Sequence, residues 1–426
     1  MFQGTKRKAS VTRLKVKKER QIYTILGIIV TIKVLYGILF LSLLDINPGE
    51  EFYDEIAKNL LSGKGYTHNP EEGPNLARPP VYTLFLAGSY WAFGETNWPI
   101  LLFQMGMDAL TCLLVYRIAS EIFGEGVGRL SAWGAAAYPF FTYYALRILS
   151  ESLFTLLLAL FVLLATRINL GSPKTKDFFL LGLVGGVTTL CKTSFLMFPF
   201  LAATGFILKN KARRKVWFDA FVFILTMLSV IAPWTIRNYQ ATGEFLLVGA
   251  GGGYNFWLGN HIPTDGLDSD ELSGEKLLLL ERAINRITHG KGFALSPEND
   301  RNFAGEAFKE IRQSPGGFVQ LLIRKFFRFW FSIFHPSHKK FEKFLVVIQS
   351  AILIPAGVGT GVSLKKHKPI APLLMVILYY VGLHTLTVAT VRYSIPIMPY
   401  VIILAVYGLL ELKPTPMPGF KVRVSN

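Results

Sequence analysis

Charge is scarce in this chain: Asp, Glu, Lys and Arg make up 17% of its 426 residues, while 51% are hydrophobic. Soluble domains carry about 25% charged residues, so the deficit argues against one. Cysteine is scarcer still. Cys112 and Cys191 are the only two, and both lie in apolar segments, which leaves no disulfide framework and no cysteine-built metal site. No zinc-ligand spacing, aromatic–basic RNA-binding motif or regular repeat accompanies the net charge of +17. Nucleic-acid binding therefore has no support. The glycine run Gly249 to Gly253 has no Gly-Lys-Ser/Thr after it, so it is no P-loop. It reads as a flexible turn or a close backbone approach.

What the chain does have is a series of apolar runs of bilayer-spanning length and a mean hydropathy of +0.38. The first is Ile22 to Leu44, 23 residues with Lys33 as the one charge. It is too long for a signal-peptide core and no small-residue cleavage site follows, so it is expected to be retained. Further spans are expected at 98–119, 127–146, 150–168, 178–191, 195–208, 216–235, 343–362, 370–389 and 396–412. The pair at 178–208 is short, with Pro199 as the expected break. Val81 to Phe93 is below crossing length and reads as a juxtamembrane or partly inserted helix.

Charge sets the orientation. Residues 1–20 hold eight Lys/Arg against one acid, and Lys209, Lys211, Arg213, Arg214 and Lys215 form a second basic cluster. Lys365, Lys366 and Lys368 form a third. Placing all of these inside satisfies the positive-inside rule. The expected organisation is then a basic cytoplasmic arm (1–20), a transmembrane core (21–235), an outer segment (236–342), C-terminal spans (343–412) and a cytoplasmic tail (413–426). Within the core, an acidic outer loop covers 45–97; its stretch 45–78 carries seven Asp/Glu against three Lys/Arg. The fold class is an all-α polytopic membrane bundle of about ten helices. In the outer segment, helical periodicity covers 273–289 and 303–312, and Ser296-Pro297 and Ser314-Pro315 read as helix starts. Phe318 to Phe334 mixes Arg324, Lys325 and Arg328 with seven aromatics, the composition of a helix at the membrane interface.

The ionisable residues gather at the outer ends of the spans. Glu50-Glu51-Phe52-Tyr53-Asp54-Glu55 follows the first span, and on a short helix Glu51, Asp54 and Glu55 would share one face. Such carboxylates can hold a divalent cation or act as a base toward a hydroxyl; a solvated acidic turn is the plain alternative. Glu151, after Arg147, opens a later span, where it either caps the helix or serves chemistry. Arg78, Lys192, Arg237 and Arg392 reach the same level. Four cations there suit a phosphate at the headgroup depth, or serve as snorkelling anchors.

The ordered segments resemble the C-type superfamily of membrane glycosyltransferases, GT-C. Within it the resemblance is to glycosyltransferase family 39 and its bacterial relatives, which include protein mannosyltransferases, aminoarabinose transferases and lipopolysaccharide-core sugar transferases. Four blocks carry it: Glu50 to Leu61 with Gly63-Lys64-Gly65-Tyr66; Arg78-Pro79-Pro80-Val81-Tyr82; Ser150-Glu151-Ser152-Leu153-Phe154; and Pro233 to Tyr239, Gly252 to Asn260 and Arg392 to Pro396. No single motif is diagnostic; the order over residues 20–412 is what matches.

The resemblance implies a GT-C bundle that takes sugar from a polyprenyl-phosphate donor and passes it to a lipid, glycan or protein. It also implies catalytic acids among Glu50, Glu51, Asp54 and Glu151. Asp is the family's usual first-loop acid, and here Glu50 and Glu51 stand in its place. Arg78, Lys192, Arg237, Arg392, Tyr53 and Tyr82 are the expected substrate contacts. Glu51 and Glu151 are the pair that a divalent ion, Mg or Mn, would use if one is required. The setting is the plasma (inner) membrane with the site on its outer face, and membrane lipids as neighbours. Three other functions compete: a lipid-linked glycan polymerase or ligase, which would lack the acidic first loop, a secondary transporter, which would need mid-membrane charges and inverted halves, and a non-catalytic membrane scaffold, which would have no activity to lose on replacing Glu151.

Overall fold

A computed structural model describes residues 24, 26–42, 51–210, 213–267, 269–290, 296–332 and 342–412. Glu50 and the basic arm and tail lie outside them. No strand occurs among the described residues. The helices are α1 Leu26–Ser42, then α2 Tyr53–Leu61, α3 Pro80–Phe93, α4 Trp98–Phe123, α5 Glu125–Ala137, α6 Pro139–Ala145, α7 Glu151–Leu170, α8 Thr175–Cys191, α9 Phe198–Lys209 and α10 Arg214–Thr242. They continue as α11 Gly252–Leu258, α12 Glu275–Ile287, α13 Pro297–Gln313, α14 Pro315–Phe331, α15 Glu342–Lys365, α16 Ala371–Leu386, α17 Val391–Ser394 and α18 Met398–Glu411.

Among the described residues, five helices are long and apolar enough to cross a bilayer: α4, α7, α10, α15 and the stretch Val391–Glu411 that joins α17 to α18. Shorter apolar helices stand at Leu26–Ser42, Thr193–Lys209 and Ala371–Leu386. The chain is an integral membrane protein. Three expectations shift in detail. The span expected at 127–146 is two helices, α5 ending at Ala137 and α6 starting at Pro139 after an extended Tyr138. The 178–208 pair breaks at Lys192, whose extended backbone (φ −150, ψ 118) ends α8. Pro199 sits instead in the first turn of α9, where a missing N–H costs nothing. Helix α10 also runs on to Thr242, beyond the expected end at 235, until Gly243 in the left-handed region (φ 71) stops it.

Lipid gives apolar helices no hydrophobic reason to associate, so close backbone approach holds them together. A Cβ on Gly359 of α15 would lie 1.9 Å from the Leu404 carbonyl, and one on Gly408 of α18 would lie 2.2 Å from the Pro355 carbonyl. Gly182 and Gly186 of α8 meet α10 in the same way, with would-be contacts of 2.5 Å to the Phe223 carbonyl and Val230 Cβ. Helix α1 exposes Val30, Val34 and Ile38. It is tied to α4 by an ion pair between Lys33 and Asp108 at 2.9 Å, both side chains under 5% exposed.

The expected outer segment carries its own small core, in which Trp257, Leu280 and Phe303 bring α11, α12 and α13 together. Ser296 opens α13 as expected, its hydroxyl accepting from the Asn299 N–H at 3.1 Å. Helix α14 buries Leu321, Phe329 and Trp330 while exposing Val319, Ile323, Phe326 and Phe327, an apolar outer side that suits an interfacial helix. Buried Lys325 donates to Asn260 Oδ1 at 2.7 Å and to the Thr387 carbonyl at 3.1 Å, joining α14 to the end of α16. The glycine run is a place of close approach: a Cβ on Gly249 would fall 2.6 Å from the Leu76 carbonyl, and one on Gly253 would fall 1.9 Å from that of Asp300.

Candidate active site

Three turns bring the charged residues to one end of the bundle. The first precedes α2. Phe52 holds a left-handed backbone (φ 59), which turns Glu51 away from the helix it precedes. Glu51 therefore does not share a face with Asp54 and Glu55, as a continuous helix would require. Asp54 pairs with Lys58 one turn along α2 at 3.2 Å and stays outside the cluster described next.

The second turn enters α7. Glu151 is the first helical residue, yet its carboxylate does not cap the backbone. Its Oε1 accepts from Lys192 Nζ at 2.7 Å and from Arg392 Nε at 2.5 Å. The third turn is the α8 break at Lys192. Because that residue is extended, its ammonium reaches across to α7, lying over the rings of Phe154 and Tyr393 at 5.7 and 5.5 Å.

Arg392 joins the halves. It donates through Nε to Glu151 and through Nη1 to Glu51 Oε1. Glu51 Oε2 in turn meets Arg78 Nη1 at 3.0 Å, and Arg78 Nε donates to the Glu51 carbonyl at 3.2 Å. The result is an alternating chain of charges, Arg78–Glu51–Arg392–Glu151–Lys192, drawn from residues as much as 341 positions apart. Three cations against two carboxylates leave one positive charge over. The chain has an open side and a floor: the Arg78, Glu51 and Lys192 side chains are 30%, 20% and 17% exposed, while Arg392 and Glu151 are 8% and 1% exposed. Burial by itself would raise the Glu51 carboxyl, but Arg392 and then Arg78 outweigh it and hold the group below its usual range. Glu151 Oε2 is buried with no hydrogen-bond partner among the described residues.

The other expected contacts take different places. Tyr82 is fully buried and its hydroxyl donates to Gln104 Oε1 at 2.7 Å. Tyr53 is buried too, packed edge-on against Tyr82 at 4.9 Å and under the Arg78 guanidinium at 5.2 Å. Both tyrosines support the cluster from below. Arg237 stands apart from it. Its guanidinium donates to the carbonyls of Asn75 and Tyr66 at 3.1 and 3.2 Å and packs on Tyr66 and Trp234, so it anchors the loop before Arg78. One supporting residue escaped the sequence reading. Gln104 donates to the Ala145 and Arg147 carbonyls, both at 2.8 Å, and so fixes the turn that leads to Glu151. The signal was a lone amide inside an apolar span.

Residues 77–236 match the family model of dolichyl-phosphate-mannose-protein mannosyltransferases, a segment that contains Arg78, Glu151 and Lys192. No curated protein matches the chain. Among solved structures, the archaeal oligosaccharyltransferase AglB from Archaeoglobus fulgidus, in complex with an inhibitory peptide and a dolichol-phosphate, aligns with a TM-score of 0.54 at 13% identity over 92% of this chain. The alignment covers 50% of AglB, so this chain spans about half the length of that protein. ArnT from Cupriavidus metallidurans, bound to undecaprenyl phosphate, aligns with a TM-score of 0.44 at 13% identity over 90% of this chain and 77% of its own. The likeness to AglB is one of fold.

Proposed function

We propose that this chain transfers a sugar from a polyprenyl-phosphate donor to a hydroxyl of a lipid, glycan or protein, at the outer face of the membrane. The observation that carries the reading is the ion chain: a surplus positive charge held at one end of a membrane bundle, beside a carboxylate on its open side. A donor phosphodiester brings one negative charge, which matches the surplus. Arg78 and Lys192, on the open side, meet it first, and Arg392 lies behind them. The acceptor oxygen forms its bond to the anomeric carbon as the bond from that carbon to the phosphate oxygen breaks. The electron pair stays on the departing phosphate, which the three cations stabilise. The hydroxyl proton passes to Glu51, the carboxylate with access to the open side. When a phosphate oxygen draws Arg78 or Arg392 from Glu51, the force that depresses its basicity weakens. Donor binding thus prepares the base. Glu151, closed off beneath two cations, positions Arg392 and Lys192 and does not itself reach the acceptor.

No step of the proposed transfer is assigned to a metal ion. No group of three His, Cys, Asp or Glu among them is placed to hold an ion, and the Arg392 guanidinium fills the space between Glu51 and Glu151. The charge on the phosphate is therefore assigned to the chain's own cations. Incubation of the purified protein with a panel of polyprenyl-phosphate sugars, scored for free carrier phosphate, tests the whole reading. Release with at least one donor, lost in Glu51→Gln, is the expected result. No release from any donor, with or without candidate acceptors, would overturn it.

A further inference from the structure

The opposite end of the same helices carries a second arrangement that the transfer reaction does not use. Along α7, Asn169 lies 18 residues from Glu151, or about 27 Å at 1.5 Å per residue. Around it is a cavity of about 170 Å³ lined by Lys209, Arg213, Lys215 and Asp219 among others. Asp219 is spent: its two oxygens take Lys215 Nζ at 2.6 Å and the Thr175 hydroxyl at 2.8 Å. Lys209 has no carboxylate partner among the described residues and donates to the Asn169 carbonyl and Oδ1 at 2.7 and 2.6 Å. The Arg213 guanidinium has no partner among the described residues. With three cations against one neutralised carboxylate, the lining presents two unmatched positive charges.

A second cavity of about 270 Å³ adjoins the first, between α7, α9 and α16, and is walled by Phe161, Ala165, Phe198, Ala202 and Met375. The two share Asn169, Phe206 and Lys209 in their linings. A basic pocket that borders an apolar cleft and shares these three residues with it matches the two parts of one amphiphile. A soluble anion would leave the cleft unfilled, and a neutral lipid would leave Lys209 and Arg213 uncompensated. Basic pockets between spans on the positive side of a membrane protein suit anionic lipid headgroups.

We propose that these adjoining cavities bind an anionic phospholipid, with its phosphate between Lys209 and Arg213 and one acyl chain in the cleft under Phe206. The site lies at the far end of the bundle from the ion chain and does not depend on the chemistry proposed there. Native mass spectrometry of the detergent-purified full chain tests it, with phosphatidylglycerol, phosphatidylcholine and inorganic phosphate added in separate arms. Phosphatidylglycerol is expected to be retained over phosphatidylcholine, and excess inorganic phosphate is expected not to displace it. The double variant Lys209→Gln/Arg213→Gln should lower retention by about tenfold or more, because the phosphate then lacks both of its cationic donors. Ala202→Leu, which narrows the cleft and keeps both cations, should lower retention as well, which guards against misfolding of the charge variant. Equal retention of the two lipids, or retention unchanged in both variants, would overturn the proposal. Displacement by phosphate alone would also overturn it, by showing a soluble-anion pocket.

Discussion

Arg392→Gln separates a structural clamp from a reactive centre. In the native chain this guanidinium is 8% exposed and serves two carboxylates at once. Removing one partner of a buried ion pair costs about 3–5 kcal/mol, because the other charge stays buried and uncompensated. Here Glu151 keeps Lys192 and Glu51 keeps Arg78, so the loss should sit lower, at roughly 2–3 kcal/mol. The cost depends on Glu151 being charged. In a Glu151→Gln background the same replacement should cost only about 1 kcal/mol, a coupling of about 1–2 kcal/mol. Unfolding titrations of the four proteins of the cycle in detergent measure both quantities. A second readout is the pH profile of transfer. The Glu51 carboxyl is held low by Arg392 and then Arg78 against burial, so losing Arg392 must raise it. The acid limb of activity, where the base becomes protonated, should then move to higher pH. Additive losses within about 0.5 kcal/mol together with an unmoved acid limb would refute the reasoning.

Four further outcomes follow from the same geometry. Arg78→Ala and Lys192→Ala should each raise the donor concentration needed for half-maximal rate by about tenfold or more; an unchanged donor dependence in both removes them as phosphate contacts. Asp108→Asn should destabilise the bundle by about 3–5 kcal/mol by stranding Lys33, and Lys33→Met/Asp108→Leu should restore most of it; a double variant as unstable as the single one in the same unfolding titration would contradict this. Burial and, after it, Arg328 lower the Lys325 ammonium to about 7. The unfolded chain therefore binds more protons than the folded one from there up to the ordinary lysine value, and stability should rise with pH across that window; thermal melts should show the rise, and Lys325→Met should abolish it. Single cysteines at exposed Arg301 and Arg214 should label from opposite sides of the membrane with an impermeant reagent, and labelling of both from one side would sink the proposed orientation.

The all-helical membrane character was legible because lipid permits few alternatives: each crossing must satisfy its own backbone, and only long apolar helices do so. Counting spans also led to the expectation that Glu51, Arg78, Glu151, Lys192, Arg237 and Arg392 share one level, and five of these six meet in one ion chain. What the count could not supply was direction around each helix. A soluble helix has one apolar face that fixes its rotation, whereas these helices are apolar on nearly every side, so periodicity says little about where a given residue points. Arg237 and Tyr82 show the consequence: both were expected substrate contacts, and they turn toward the first loop and toward Gln104. Glu51 shows another limit. Its position depends on a left-handed Phe52, and a phenylalanine carries none of the local signal that a glycine at such a turn would give.

The pairing within the cluster raises the question of why a proposed phosphate site should hold two carboxylates at all. Three unpaired cations in one low-dielectric pocket would repel one another and lower the stability of the empty protein. Glu51 and Glu151, placed between them, remove that repulsion while leaving one positive charge for the ligand. Their unequal burial divides the work. Glu151, nearly sealed, keeps Arg392 and Lys192 in position whether or not a ligand is present. Glu51, on the open side, shares its cations with whatever anion enters. A phosphate that took part of Arg78 and Arg392, as proposed, would meet cations already oriented and would leave behind a carboxylate more willing to accept a proton. On the proposed reading, the same ion pairs that hold the empty site together would become, on donor binding, the means by which the base is activated.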